Sequence, residues 1–233
     1  MPRGLPRMNP GSAFSIGAEA LMRSGSLSVV LPLIRDMRPD HRSLVVQAVR
    51  MLEALIDMHS TVGDHAPLAS SADFGPVLTC PLTQAHQMFR ELGGFTALVH
   101  RLKLEIDSDV ATLAEQSPSQ QQGQTAPATI PYPRRSLFKA VLRGLSLVNN
   151  PSGQQGLGLG ESELTSLYGS INKILGSCQF YGAEIFTAAC SVVTEFVHQD
   201  PMSFRLMDRC GVPQEFLRAL DRGEHRLWTA GWE

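Results

Sequence analysis

Apolar residues return at steps of three and four along most of the chain, the spacing that lines one face of an α-helix. The clearest run is Leu44, Val45, Ala48, Val49, Leu52, Leu55 and Ile56, with Asp40 placed to cap its start and an end predicted near His59. Earlier, a helix is predicted from Ser12 to Ser24, stopped by Gly25, and Leu27, Val30, Leu31 and Ile34 mark a short apolar face cut near Pro39. A further helix starts near Pro81 and stops at Gly93-Gly94. The next carries Phe95, Leu98, Val99, Leu102 and Ile106 on one side, with charges opposite, to about Glu115. In the second half, helices are predicted at Arg134–Leu147, Ser162–Leu175, Gly182–His198, Pro201–Arg209 and Val212–Leu220. The Gly182–His198 segment is apolar on several faces (Ile185, Phe186, Ala189, Cys190, Val193, Phe196, Val197), the pattern of a central, buried helix. No segment alternates as a half-buried strand would, so the predicted fold class is all-α.

Between these helices lie polar stretches. Residues 1–11 read as a flexible leader, 60–80 as a loop, 116–133 as a disordered Gln/Ser/Pro linker, 149–160 as a Gly-rich loop and 223–233 as an irregular tail. Helical repeats then occupy 12–115 and 134–222.

A shared spacing runs through three of the helix junctions. Gly25, Gly93 and Gly211 each follow an apolar residue four positions earlier (Leu21, Phe89, Met207). Apolar pairs come five and six positions later (Val30-Leu31, Leu98-Val99, Phe216-Leu217), and another apolar residue at nine (Ile34, Leu102, Leu220). Glycine adopts a left-handed helix-ending conformation at little steric cost, so a second helix can start at a sharp angle. The later positions then share a face that packs back on the helix before. Such units cannot bury that face alone and therefore stack. The expected architecture is an armadillo-like right-handed superhelix, an α-solenoid fragment, with Gly93, Gly94, Gly182 and Gly211 at turns and Phe186, Val193 and Phe196 in the core.

Composition narrows the function. The 233 residues are 43% hydrophobic and 18% charged, with a net charge of -2, so a core is affordable and no basic excess points to nucleic acid or an anionic membrane. No apolar run reaches the roughly 20 residues of a membrane span. Glu19 and Arg23 interrupt the stretch that could otherwise have been a signal peptide, so the chain is expected to be soluble, in cytoplasm or nucleus. Cys80, Cys178, Cys190 and Cys210 form no C-x-x-C pair and are expected to be reduced and mostly buried.

Individual residues offer little chemistry. The string from Gly156 to Gly160 lacks a preceding strand and any following Lys-Ser/Thr, and Glu161 would repel phosphate, so it is read as a connector. Asp57, His59, Asp64 and His65 gather around a loop but are read as a solvated helix end rather than a metal site. His198 suits a helix C-terminus, where its charge favours the dipole. Cys178 and Cys190 sit in apolar helices, where a thiol stays protonated, and no G-x-S-x-G turn occurs. Arg134-Arg135-Ser136 has the form of a basophilic kinase site, but is read as a first helical turn with ordinary surface arginines. No catalytic, cofactor-binding or metal-ligating residue is assigned, and proteins are the expected partners.

Two stretches carry more than generic helix character: MFRELGGFTALVHRLKLEID at 88–107, and 178–220, from CQFYGAEIFTAACSVVTEFVHQDP to GVPQEFLRAL. With RRSLFKAVLRGLSLV at 134–148, they resemble, in the same order, the N-terminal helical-repeat region of giant HECT-type E3 ubiquitin ligases, the Tom/UPL/HUWE group. The most distinctive element is the Tyr181-Gly182 helix start, followed by Glu-Phe-Val-x-Gln-Asp-Pro ending at Pro201. The resemblance implies a curved scaffold that presents substrates, with transferase chemistry in a separate C-terminal HECT domain. Nothing in the chain matches that domain, and none of its cysteines inherits the catalytic role. The chain then reads as a fragment of such a ligase, and its rival as a stand-alone armadillo-type adaptor.

Overall fold

The computed structural model describes residues 20–21, 24–60, 87–115, 130–148, 159–201 and 203–221. The helices are α1 (Ser26–Ile34), α2 (Arg42–Ser60), α3 (Gly94–Glu115), α4 (Tyr132–Val148), α5 (Glu161–Gly176), α6 (Cys178–Tyr181), α7 (Ala183–Gln199), α8 (Ser203–Arg209) and α9 (Val212–Asp221). Residues 20–21 and 87–91 are also helical, and no strand occurs among the described residues. The protein is all-α. The remainder of the helices predicted at Ser12–Ser24 and from Pro81 lies outside the described residues, as do the leader, the tail and most of the three polar stretches.

Helices α1, α3 and α9 each begin immediately after a glycine, or within one residue of it, at positive φ: Gly25 (78°), Gly93 (71°) and Gly211 (74°). These are the three anchors of the sequence repeat. Gly94 has a second reason to be glycine, because a Cβ there would stand 2.2 Å from the Phe89 ring. The tight turn thus lets residues 87–91 lie directly on the start of α3, with Phe89 and Phe95 meeting edge to face at 5.6 Å.

Several boundaries differ from expectation, each for a local reason. Asp40 does not cap α2; it lies inside a 3-10 turn, Pro39–His41. Asp36 organises this entry instead, accepting from the Arg38 backbone N–H at 3.0 Å, the Arg38 guanidinium at 2.7 Å and His41 Nδ1 at 2.8 Å. Hydrogen bonds from Arg38 and then His41 hold its carboxyl well below the usual carboxylate range. Helix α4 starts at Tyr132, not Arg134, because Pro133 in a first turn withholds an N–H that would have no helical acceptor. Ile130 before it is buried, and its N–H donates to Phe180 O at 3.2 Å. Helix α6 is too short to leave a periodic trace in the sequence.

The helices pack in two rows. Helices α2, α4 and α7 lie side by side in one, and α1, α3, α5 and α9 in the other. Contacts of α1 with α2, α3 with α4 and α5 with α7 join the rows, while α6 and α8 fill the C-terminal junctions. Between the rows runs a continuous apolar core: Ile34, Val49, Leu52, Leu98, Leu102, Ile106, Leu142, Leu145, Leu167, Ile171, Ile185 and Phe196 are all sealed from solvent. Leu44, placed on the buried face by its spacing, stays exposed at the start of α2. This is a helical-repeat arrangement in which neighbouring units share one interior.

Candidate interaction site

Two assemblies stand out from the packed core. The first is ionic and closed. On α3, Arg101, Glu105 and Asp109 succeed one another at four-residue steps, so they share a face. Sequence periodicity put charges on the solvent side of this helix. Instead, Arg101 is 2% and Asp109 0% exposed, because α4, Tyr181 of α6 and the α1–α2 connection at Asp36 cover that face. Arg101 donates to the backbone carbonyl of Asp36 and pairs with Glu105 at 2.6 Å. Arg134 of α4 bonds the Glu105 carboxylate at 3.2 Å and the Glu105 backbone carbonyl at 3.0 Å, and also pairs with Asp109. Arg42 approaches Glu105 at 3.6 Å, and the Tyr181 hydroxyl donates to Asp109 at 3.4 Å. Burial pushes the Asp109 carboxyl above its ordinary range against the pull of Arg134, and burial beside Asp109 pushes the Tyr181 phenol up. With both carboxylates buried and Arg42 at its partly exposed edge, the network works as a fastener joining α2, α3, α4 and α6.

This assembly corrects one sequence reading. Arg134 is not an ordinary surface arginine but a buried partner of two carboxylates, with a side chain 13% exposed. Arg135 and Ser136 beside it are half-buried on the body of a helix, not displayed on a loop.

The other residues singled out from sequence are dispersed. Asp64, His65 and Cys80 lie outside the described residues, as do the side chains of Asp57 and His59. His198 is exposed in the last turn of α7. Of the glycine string only Leu159-Gly160 is described, and there the Gly160 N–H donates to Glu163 Oε2 at 2.7 Å, securing the start of α5. Cys178, Cys190 and Cys210 are free thiols. Burial raises Cys190 to about 11 and also raises Cys210, which leaves both protonated and poor nucleophiles at neutral pH.

The second assembly is apolar and open. Helices α5, α7, α8 and α9 enclose a groove of about 270 Å³, lined chiefly by Leu175, Cys190, Val193, Val197, Phe204 and Phe216. Helix α7 is therefore not buried all round. Phe186 and Phe196 belong to the core as expected, whereas Val193 is half-buried and faces the groove. Phe204 remains 48% exposed, and on α9 Phe216, Leu217 and Leu220 are 36%, 64% and 40% exposed. The equivalent positions after the other two glycines, Val30-Leu31 with Ile34 and Leu98-Val99 with Leu102, are buried. The same repeat position is thus sealed in α1 and α3 and uncovered in α9. Phe216 still stacks on Phe186 at 6.3 Å, which keeps α9 seated while its outer side stays open. The sequence carried a trace of this groove, since α7 is more apolar than one buried face requires.

Among the described residues, no helix is long and apolar enough to cross a membrane. No solved structure gives a significant match to the chain. The E3 ubiquitin-protein ligase UPL1 of Arabidopsis thaliana is 30% identical over 221 residues, covering 88% of this chain. The E3 ubiquitin-protein ligase UPL2 of the same plant is 30% identical over 223 residues, again 88% of this chain. The chain spans only 5% of the length of each of these relatives. The resemblance read from three short segments thus extends across most of the sequence. Residues 77–226 match the family described as a domain of unknown function, DUF913, and the chain belongs to that family.

Proposed function

We propose that this chain is a non-catalytic protein-interaction scaffold, a section of the N-terminal arm of a HECT-type E3 ubiquitin-protein ligase, acting in protein ubiquitination in the cytoplasm or nucleus. In this reading the helical units continue as an armadillo-like right-handed superhelix. Stacked helices hold a recognition surface rigid, so a partner segment binds without a large ordering cost on the scaffold side. The observation that carries the proposal is the change of one repeat position from sealed in α1 and α3 to open in α9, beside a groove in which, among the described residues, Cys190 is the one ionisable lining group. Such a surface suits helix packing and offers no acid–base pair for chemistry.

Two experiments test the two halves of this reading. Incubation of the chain with ubiquitin, ATP, a ubiquitin-activating enzyme and a conjugating enzyme should yield no reductant-sensitive ubiquitin adduct. An adduct removed by replacing one cysteine would overturn the non-catalytic assignment. Sequencing of the transcript beyond codon 233 should find an open frame leading to a HECT domain. A frame that ends without one would favour an independent adaptor over a ligase arm.

A further inference from the structure

We infer that the outer face of α4 is a docking cleft for an acidic segment of a partner protein. Tyr132, Arg135, Ser136, Lys139 and Arg143 fall at helical spacing along one side of α4. Because α4 lies between α2 and α7, Arg50 and Glu53 from α2 form one wall and Glu184 from the first turn of α7 the other. Together they enclose a polar cleft of about 350 Å³. It gathers four cations against two carboxylates on a chain whose total charge is -2.

The cations are incompletely neutralised. Lys139 pairs with Glu184 at 3.0 Å, and Arg143 approaches Glu53 only to 3.8 Å while remaining 62% exposed. Arg50 and Arg135 form no ion pair with any described residue, and the buried Nε of Arg135 has no hydrogen-bond acceptor. The hydrogen bond from Lys139, with the fields of Arg135 and Arg143, holds the Glu184 carboxyl below its ordinary range, a sign of positive potential at that wall. Arginine forks match carboxylates in a paired, planar geometry. At the lip, Tyr132 is 76% exposed, and tyrosine and arginine are the residues that most often anchor protein interfaces. A nucleic acid fits less well. Phosphate readers present cations in unbroken stripes, whereas Glu53 and Glu184 stand inside this cleft and would repel a phosphate backbone. The inference concerns a different surface from the apolar groove and does not depend on the chain being part of a ligase.

The test is fluorescence anisotropy of the full chain with a labelled oligoglutamate peptide at low ionic strength. Its oligoglutamine counterpart and a single-stranded oligonucleotide serve as competitors. Saturable binding that weakens with added salt is expected. Replacing both exposed cations, Arg50→Gln with Arg143→Gln, should weaken binding roughly tenfold, since each removes one screened charge contact. Glu184→Gln removes the competing carboxylate, frees Lys139 and should tighten binding by roughly two- to fivefold, a gain that a folding defect cannot imitate. The inference is overturned if the wild-type chain does not bind oligoglutamate saturably or if the Arg50/Arg143 variant binds it unchanged. It is equally overturned if Glu184→Gln does not tighten binding, or if the oligonucleotide binds more tightly through the same cations.

Discussion

Replacing Arg134 by methionine isolates what the buried ionic network contributes. The substitution keeps much of the side-chain volume and removes a guanidinium that is 13% exposed and contacts two carboxylates. Glu105 keeps Arg101 and Arg42, but Asp109, with a fully buried side chain, keeps among the described residues only the Tyr181 hydroxyl. Breaking a buried pair by deleting one partner costs about 3–5 kcal/mol. In a chain of this size that lowers the melting midpoint by about 6–20 °C. The pH dependence has a definite sign. Burial already raises the Asp109 carboxyl, and Arg134 is the main influence pulling it down, so the variant should raise it further. A carboxyl raised in the folded state weakens the fold above its folded pKa and returns that stability as pH falls through it toward the unfolded value near 3.9. The deficit of Arg134→Met relative to wild type should therefore be larger at pH 8 than at pH 5. Adding Asp109→Asn should recover part of it, because the buried charge is then gone. Thermal unfolding by circular dichroism at both pH values measures all three quantities. A loss below about 1 kcal/mol, typical of an exposed pair, would refute the reasoning, and so would a deficit indifferent to pH or strictly additive with Asp109→Asn.

The remaining expectations concern the core, the thiols and the open groove. Phe196 is fully buried and meets Tyr168 edge to face at 6.3 Å, so Phe196→Ala should cost about 3–5 kcal/mol in denaturant unfolding; an unchanged midpoint would remove it from the core. With its thiol raised to about 11, Cys190 should carry about a hundredfold less thiolate at neutral pH than an ordinary cysteine, and its alkylation should accelerate up to that pH. Peptide mass spectrometry reads this rate, and rapid labelling at pH 7 contradicts it. The exposed face of α9 should drive weak self-association in sedimentation experiments, abolished by Leu217→Ser with Leu220→Ser at little cost to the melt. Equal masses for variant and wild type would count against that face being adhesive.

The fold class and most helices could be read from the sequence because three-residue and four-residue spacing reports a buried face directly. Phe95, Leu98, Leu102 and Ile106 are sealed as their spacing required. So were the turns, since a positive φ at Gly25, Gly93 and Gly211 is a demand that glycine alone meets cheaply. The sites were far less visible. Periodicity sorts residues by polarity, and it therefore sent Arg101, Glu105 and Asp109 to the solvent, although long-range cover from α4 and α6 buries them. Their four-residue spacing beside Leu102 and Ile106 was the available clue. The apolar groove depends on where α8 and α9 stop relative to α7, and the polar cleft on α2 and α7 flanking α4. Neither adjacency has a local signature.

The double row of helices has a consequence for how the molecule comes apart. Each helix leans on partners no more than one unit away, so its protection depends on how many neighbours it retains. Among the described residues, α3, α4 and α5 are flanked on both sides within their rows, whereas α1, α2, α7 and α9 are flanked on one. Amide hydrogen exchange should accordingly be slowest at the centre and quicken toward both ends, a gradient set by position in the stack rather than by helix propensity.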